Sequence, residues 1–350
     1  MKTKLIKIDY RTPLAAQLAD AAEILKNGGL AAFPTETVYG LGGNALDATA
    51  AHRIYAAKGR PSDNPLIVHI AKPSDAEKYA VTSALYDKLA KAFMPGPLTV
   101  VMPKRDNVPH SVTGGLETVG IRCPGHPVAR ELIRLAGIPI AAPSANISGR
   151  PSPTAARHCI DDLYGKVDCI IDGGDSEVGL ESTIVKIVGE TLTVLRPGAI
   201  TPDMLREVCP NVSIDNGVLD KLPEGIAPQA PGMKYRHYAP RAKVCLIRSA
   251  GGEDFDARAI DFLKKKLAES PNTGILCFDE YAPHLQGENV LTFGRRDDEA
   301  AHSRLLFDRL RRFDETDAEV IYATAGSTNG IGLALYNRML KASGYTVLLV

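Results

Sequence analysis

The sequence predicts an α/β protein of two domains. Apolar strands alternate with amphipathic helices from Pro13 onward. The alternation fails across residues 210–240, where Pro210, Pro223, Pro228, Pro231 and Pro240 fall in one span. It then resumes to the end of the chain. At 350 residues the chain exceeds one ordinary core. We read 1–209 as a catalytic-sized domain, 210–240 as a partly stiff linker or lid, and 241–350 as a small doubly wound α/β domain.

The elements follow in order. Thr12-Pro13 opens a helix carrying Leu14, Leu18 and Leu25, and Gly28-Gly29 ends it. Leu30–Phe33 is a short strand that runs into the polar stretch 34–43. Thr49 is placed to cap a helix ending near Lys58. In the strand that follows, Leu66, Val68 and Ile70 share one face, with Ile67 and His69 on the other. Leu85, Leu89 and Phe93 mark a helix, Leu98–Met102 and Val119–Cys123 strands, Pro127–Gly137 a helix, Ile138–Ala142 a strand and Thr154–Tyr164 a helix. Ser182–Val188 and Thr191–Arg196 form a hairpin about Gly189-Glu190. That register sets Thr183 opposite Arg196. Past the linker, strands start at Lys243, Gly274, Val290 and Val320, and helices span Asp256–Glu269, Asp298–Phe313 and Ile331–Ala342.

Composition removes several classes of function. Lys plus Arg is 41 and Asp plus Glu is 41, so the formal charge is zero. That argues against a general nucleic-acid coat, though not against a local cationic pocket. The amino terminus is too polar for a signal peptide, and no apolar run reaches membrane-spanning length, so a cytoplasmic protein is expected. Six cysteines lie without C-x-x-C or zinc spacing and read as buried thiols.

Chemistry concentrates in four polar stretches at strand ends. Residues 34–43, Pro-Thr-Glu-Thr-Val-Tyr-Gly-Leu-Gly-Gly, read either as a glycine-dependent tight turn or as a cradle for a small ligand. In Lys58-Gly-Arg-Pro-Ser-Asp-Asn-Pro65, two cations lie two residues apart between stiffening prolines. In an extended segment they point the same way, and phosphate is their natural counter-ion. In Val119-Gly-Ile-Arg-Cys-Pro124, Arg122 faces away from Ile121, toward a cleft or solvent. In Ala142-Pro-Ser-Ala-Asn-Ile-Ser-Gly149, hydroxyls and an amide follow a strand, as a turn or as donors to phosphate or ribose. His69 is either a packed strand histidine or a wall of the same cleft. Cations with small hydroxyls suit phosphate-ester chemistry.

These stretches, with Pro95-Gly-Pro-Leu-Thr99, Glu181-Ser-Thr-Ile184 and Leu195-Arg-Pro-Gly198, occur in an order that closely resembles the YrdC-like threonylcarbamoyl-AMP synthases. The resemblance covers about residues 10 to 205, and the remainder resembles the long form with a Rossmann-like carboxy-terminal domain. It implies a twisted, open mixed sheet with a concave cationic cleft. It also implies a nucleotidyltransferase that condenses L-threonine, bicarbonate or carbon dioxide, and ATP to threonylcarbamoyl-AMP and pyrophosphate. Downstream transferases use that product to modify tRNA. Carried over by position, Lys58 and Arg60 are catalytic. Lys58, Arg60, Asn64, Thr118, Ser144, Asn146, Ser152, Arg196 and Tyr235 bind ATP, and Thr35, His69, Arg122, Ala142 and Ser182 bind threonine. Mg²⁺ is expected on the ATP phosphates, with no metal held by the protein alone. Tyr235, in Ala230–Pro240, suggests a lid over the nucleotide. A non-catalytic module for double-stranded RNA or tRNA is the alternative; weak tRNA binding fits either reading, and a membrane partner fits neither.

Overall fold

A computed structural model describes residues 2–220, 228–233, 237–251 and 254–350. The chain forms two compact units, residues 1–148 with 152–234, and residues 149–151 with 235–350.

The first unit is one mixed sheet of eleven strands: β1 (Lys4–Lys7), β2 (Ala31–Phe33), β3 (Gly40–Asn44), β4 (Ile67–His69), β5 (Leu98–Pro103), β6 (Thr118–Arg122), β7 (Ile140–Ala142), β8 (Cys169–Asp172), β9 (Thr183–Val188), β10 (Thr191–Arg196) and β11 (Val212–Ile214). Their order is β1-β8-β2-β3-β7-β4-β6-β5-β9-β10-β11. Among the described residues seven helices accompany it: α1 (Leu14–Lys26), α2 (Ala48–Lys58), α3 (Ala84–Phe93), the single turn α4 (His110–Thr113), α5 (Pro127–Ala136), α6 (Ala156–Leu163) and α7 (Pro202–Val208).

Strand alternation sorts the side chains. Leu66, Val68, Ile70, Val100, Met102, Val119 and Ile121 enter one large core. Leu18 and Leu25 of α1 and Val128 and Leu132 of α5 close a second over Phe33, Ile140 and Ile171. The opposite face of β4–β6–β5–β9–β10 carries the smaller group Ile67, Val101, Ile184 and Leu195, covered by Ala230 and Met233.

Several expectations change. Residues 40–44 are not loop: they form β3, antiparallel to β2, with Gly42 opposite Ala31 and Gly40 opposite Phe33. Gly40, Gly42 and Gly43 have no left-handed φ. Their hydrogens make room. A Cβ on Gly42 would lie 2.6 Å from Ile140 Cγ2 and 2.8 Å from Phe33 Cε1. The cap of α2 is Asp47, whose carboxylate accepts from Thr49 N at 2.8 Å, so Thr49 is inside the helix rather than its cap. The hairpin joins Val188 to Thr191 as expected, but a bulge between Val194 and Arg196 sets Arg196 opposite Ile184 rather than Thr183. The presumed linker begins with β11, parallel to β10, followed by the short turn Asn216–Val218. Strands β1 and β8, and the strand Val347–Leu349 of the second unit, were not read from the sequence.

The second unit is a parallel sheet of β12 (Lys243–Arg248), β13 (Thr273–Cys277), β14 (Val290–Thr292), β15 (Val320–Thr324) and β16 (Val347–Leu349), ordered β14-β13-β15-β12-β16. Helices α8 (Phe255–Glu269), α9 (Glu299–Arg312) and α10 (Gly332–Ala342) connect it. The tripeptide 149–151 belongs to this unit: Gly149 O accepts from Ala239 N, Arg150 pairs with Asp314 at 3.1 Å, and Pro151 O accepts from Arg311. All six cysteines are buried, free thiols. Among the described residues no helix is long and apolar enough to cross a membrane.

Gly42→Ala should lower stability by about 1–3 kcal/mol, as overpacking a rigid core does. Thermal unfolding of the purified variant measures it; an unchanged melting temperature would contradict the close-approach reading.

Candidate functional site

The cleft is built from the end of α2. Lys58 is the last helical residue, and Gly59 follows at φ 61°, a left-handed cap that glycine adopts without strain. The chain therefore reverses direction between Lys58 and Arg60, and the extended geometry expected for them does not hold. Lys58 is only 1% exposed. Its ammonium donates to Ser144 O at 2.5 Å, to Asn146 O, and to Asn146 Oδ1 at 3.5 Å. Ser148 N returns a bond to Lys58 O at 2.9 Å, and Ser144 Oγ donates to Asn146 Oδ1 at 2.5 Å. Lys58, Ser144 and Asn146 thus form one bonded cluster, joining α2 to the loop after β7.

Arg60, also buried, turns back on its own loop. Nε donates to Asn64 O at 3.3 Å and Nη2 to Pro65 O at 3.1 Å. The Asn64 amide is buried, and its Oδ1 has no hydrogen-bond partner among the described residues.

A second group lies across β7, β4 and β6. His69 stands opposite Arg122 in the β4–β6 ladder, and Ile67 stands opposite Ala142 in the β4–β7 ladder. Thr118 and Gly120 share the face of Arg122 because each is two residues from the next along β6. His69 Nδ1 lies 3.0 Å from Ile67 O, and the ring meets Phe33 edge-on. Burial first, and the charge of Arg122 second, push its pKa down to about 3. The imidazole is therefore neutral at physiological pH.

Arg122 is 4% exposed, so it does not reach solvent. Its Nη2 donates to Glu36 Oε1 at 2.7 Å, while Nε is buried with no hydrogen-bond partner among the described residues. Burial alone would raise the Glu36 pKa, but the adjacent guanidinium outweighs it and holds the carboxyl below its usual range. Glu36 Oε2 also accepts from His126 N at 3.3 Å. Beside this pair, Thr35 Oγ1 donates to Val38 O at 2.6 Å and lies 2.8 Å from Thr37 Oγ1.

A third group closes the far side. Arg196 Nε and Nη2 donate to Ser182 O at 3.1 and 3.0 Å, and Nη2 also reaches Ser182 Oγ at 3.1 Å. The bulge in β10 aims the side chain there despite the register shift. Ser182 Oγ is 2.8 Å from Thr99 Oγ1. Ser152 Oγ donates to Glu181 Oε1 at 2.5 Å. Residues 228–233 lie on this face: Gln229 Oε1 accepts from Lys186 at 2.7 Å, Pro231 O accepts from Arg196 Nη1 at 3.4 Å, and Ala230 and Met233 seal the apolar group beneath. Tyr235 lies outside the described residues.

Sequence reasoning passed over Glu36, Glu181 and Thr99. A signal existed for Glu36. An arginine on a buried strand needs an anion, and Glu36 is the one carboxylate in the polar run after β2.

The Sua5/YciO/YrdC family model, described as "Telomere recombination", matches residues 23–198, and the model described as "Threonylcarbamoyl-AMP synthase, C-terminal domain" matches 200–344. The chain is 46% identical to the threonylcarbamoyl-AMP synthase of Pyrococcus abyssi over 94% of its own length and 95% of that protein. It is 42% identical to the Bacillus subtilis synthase, over 99% of its own length and 100% of that protein. The crystal structure of P. abyssi Sua5 complexed with L-threonine superposes with a TM-score of 0.92 at 42% identity, over 99% of this chain and 100% of that one. The shorter Escherichia coli YciO structure matches at a TM-score of 0.50 and 26% identity, over 57% of this chain and 96% of that one.

The neutrality of His69 is directly measurable. Between about pH 6.5 and 3 the unfolded chain binds a proton that the folded one refuses, so this residue costs stability as pH falls through that window and nothing above it. In a ¹³C-histidine NMR titration the His69 resonance should not move between pH 8 and 5. A midpoint near 6.5 would refute its burial as a neutral ring.

Proposed function

The chain belongs to the threonylcarbamoyl-AMP synthase family, in its two-domain form, and we propose that the sheet face bearing Arg122, His69 and Arg196 is where the substrates meet. The protein is a threonylcarbamoyl-AMP synthase: L-threonine and ATP are its substrates. The RNA-module alternative gives way to the enzyme on the full-length similarity to synthases.

Threonine's carboxylate takes Arg122. The observation that carries this is the buried guanidinium whose Nε has no partner among the described residues. Such a donor costs about 1–3 kcal/mol until an acceptor arrives. Thr35, neutral His69, Ala142 and Ser182 bound the amino acid. The neutral imidazole suits a wall that must not repel Arg122 or bind the carboxylate itself. The threonine amine forms an N–C bond to carbon dioxide and loses a proton, or forms it to bicarbonate with cleavage of a C–O bond and departure of water. A carbamate oxygen then attacks the α-phosphorus, the α–β bridging bond breaks, and pyrophosphate leaves with its electron pair.

Lys58 and Arg60 serve the phosphates. Carbonyl acceptors hold both cations in place, which suits preorganised stabilisation of the transferring phosphoryl group. Asn64, Thr118, Ser144, Asn146, Ser152 and Arg196 supply further contacts to ATP, and the unmatched Asn64 Oδ1, an acceptor, suits a hydroxyl or amino donor of the nucleotide rather than a phosphate oxygen. Mg²⁺ arrives on the triphosphate, a hard cation that keeps water and phosphate oxygens as ligands. The segment Ala230–Pro240, with Tyr235, is read as a lid over the nucleotide. The product passes to a separate transferase acting on tRNA in the cytoplasm.

The test is pyrophosphate release from ATP and bicarbonate with each amino acid in turn; threonine should support it best, and indifference to the amino acid would defeat the assignment. Lys58→Ala or Arg60→Ala should lower turnover by about 10²-fold. Circular dichroism of each variant separates loss of catalysis from loss of fold, because Lys58 also ties down the 144–148 loop. A change of less than about threefold in kcat/KM would remove both from the site.

A further inference from the structure

In the second unit, β12 and β15 are hydrogen-bonded neighbours. The chain leaves them in opposite directions. From β12 it passes through α8 to β13, beyond β15; from β15 it passes through α10 to β16, beyond β12. Right-handed crossovers in opposite directions put α8 and α10 on opposite faces of the sheet. The two loops therefore part at the carboxyl ends of the strands, which is where open parallel sheets bind ligands. A cavity of about 370 Å³ lies there, within the range of small-molecule sites.

We propose that this crevice binds a phosphate monoester carried on a small planar body, a nucleoside monophosphate, at a site separate from the catalytic cleft. Two guanidinium groups line it, Arg248 and Arg296. Arg248 is steadied from behind, with Nη1 3.2 Å from Tyr336 Oη and its guanidinium 4.8 Å from that ring. Arg296 pairs with Asp256 and lies 5.6 Å from the Phe278 ring. Ser249 and Ser327 add hydroxyls, and the Ser327 turn is preformed, with Oγ accepting from Asn329 N at 3.0 Å. Phe255, Phe293, Leu335 and Met339 give apolar walls suited to a flat ring.

Glu299 also faces the cavity, so the lining is not uniformly cationic. A carboxylate beside arginines suits a ligand that brings hydroxyl donors with its phosphate, as a ribose does. The close approach of these parts is built in. A Cβ on Gly332 would lie 2.9 Å from Glu299 Oε1 and 2.4 Å from Ser327 O, so only glycine lets α9, α10 and the Ser327 turn converge.

Calorimetric titration of the full chain with AMP tests the proposal, with inorganic phosphate and adenosine as separate arms. Ser327→Glu places a carboxylate where the phosphate would sit, and Arg248→Ala removes a cation. Both positions are exposed, so the fold should persist. Each variant should lose one AMP-binding event, weakened tenfold or more, while threonine-dependent pyrophosphate release stays within twofold of the unaltered protein. Phosphate should compete for that event more strongly than adenosine. AMP binding that is absent, or that survives both substitutions unchanged, overturns the proposal.

Discussion

One buried ammonium sets the geometry where α2 meets the loop after β7. Lys58 ends α2, and its side chain is held by the carbonyls of Ser144 and Asn146. A lysine in that position cannot be left unsolvated, so the loop after β7 must fold around it. The same loop then presents Ser144 and Asn146, and Ser148 N closes the circuit by bonding to Lys58 O. Position, charge and donor array follow from one desolvated group that the chain is obliged to satisfy.

A second obligation operates across β4 and β6. Arg122 and Glu36 are both buried, and each justifies the other. Their pairing keeps the carboxyl ionised, and the arginine's charge helps keep His69 neutral. The cleft thus assigns fixed protonation states by burial and neighbour charge rather than by solution pH. The Arg122 guanidinium is thus held in a fixed orientation by an internal carboxylate.

Much of this was legible in the chain. The split faces of β4, with Leu66, Val68 and Ile70 inward and His69 outward, follow from a period of two. Arg122 opposing Ile121 follows likewise. What escaped depends on tertiary packing. The glycines of β3 read as turn residues because flexibility and smallness share one residue type; only the Phe33 and Ile140 side chains distinguish them. The bulge before Arg196 leaves no local signature. The helical end at Lys58 was hidden because Gly59 serves a left-handed cap and an extended turn equally well. The strand order of the second unit is set by pairings far apart in sequence, which periodicity does not report.

The apolar group under residues 228–233 has a thermodynamic side. Ile67, Val101, Ile184 and Leu195 are sheltered by Ala230 and Met233 on the face that also carries the charged groups. Lifting that cover would hydrate hydrocarbon, so motion of the segment carries a positive heat capacity change. Its equilibrium is therefore curved in temperature, and the cover weakens toward the cold.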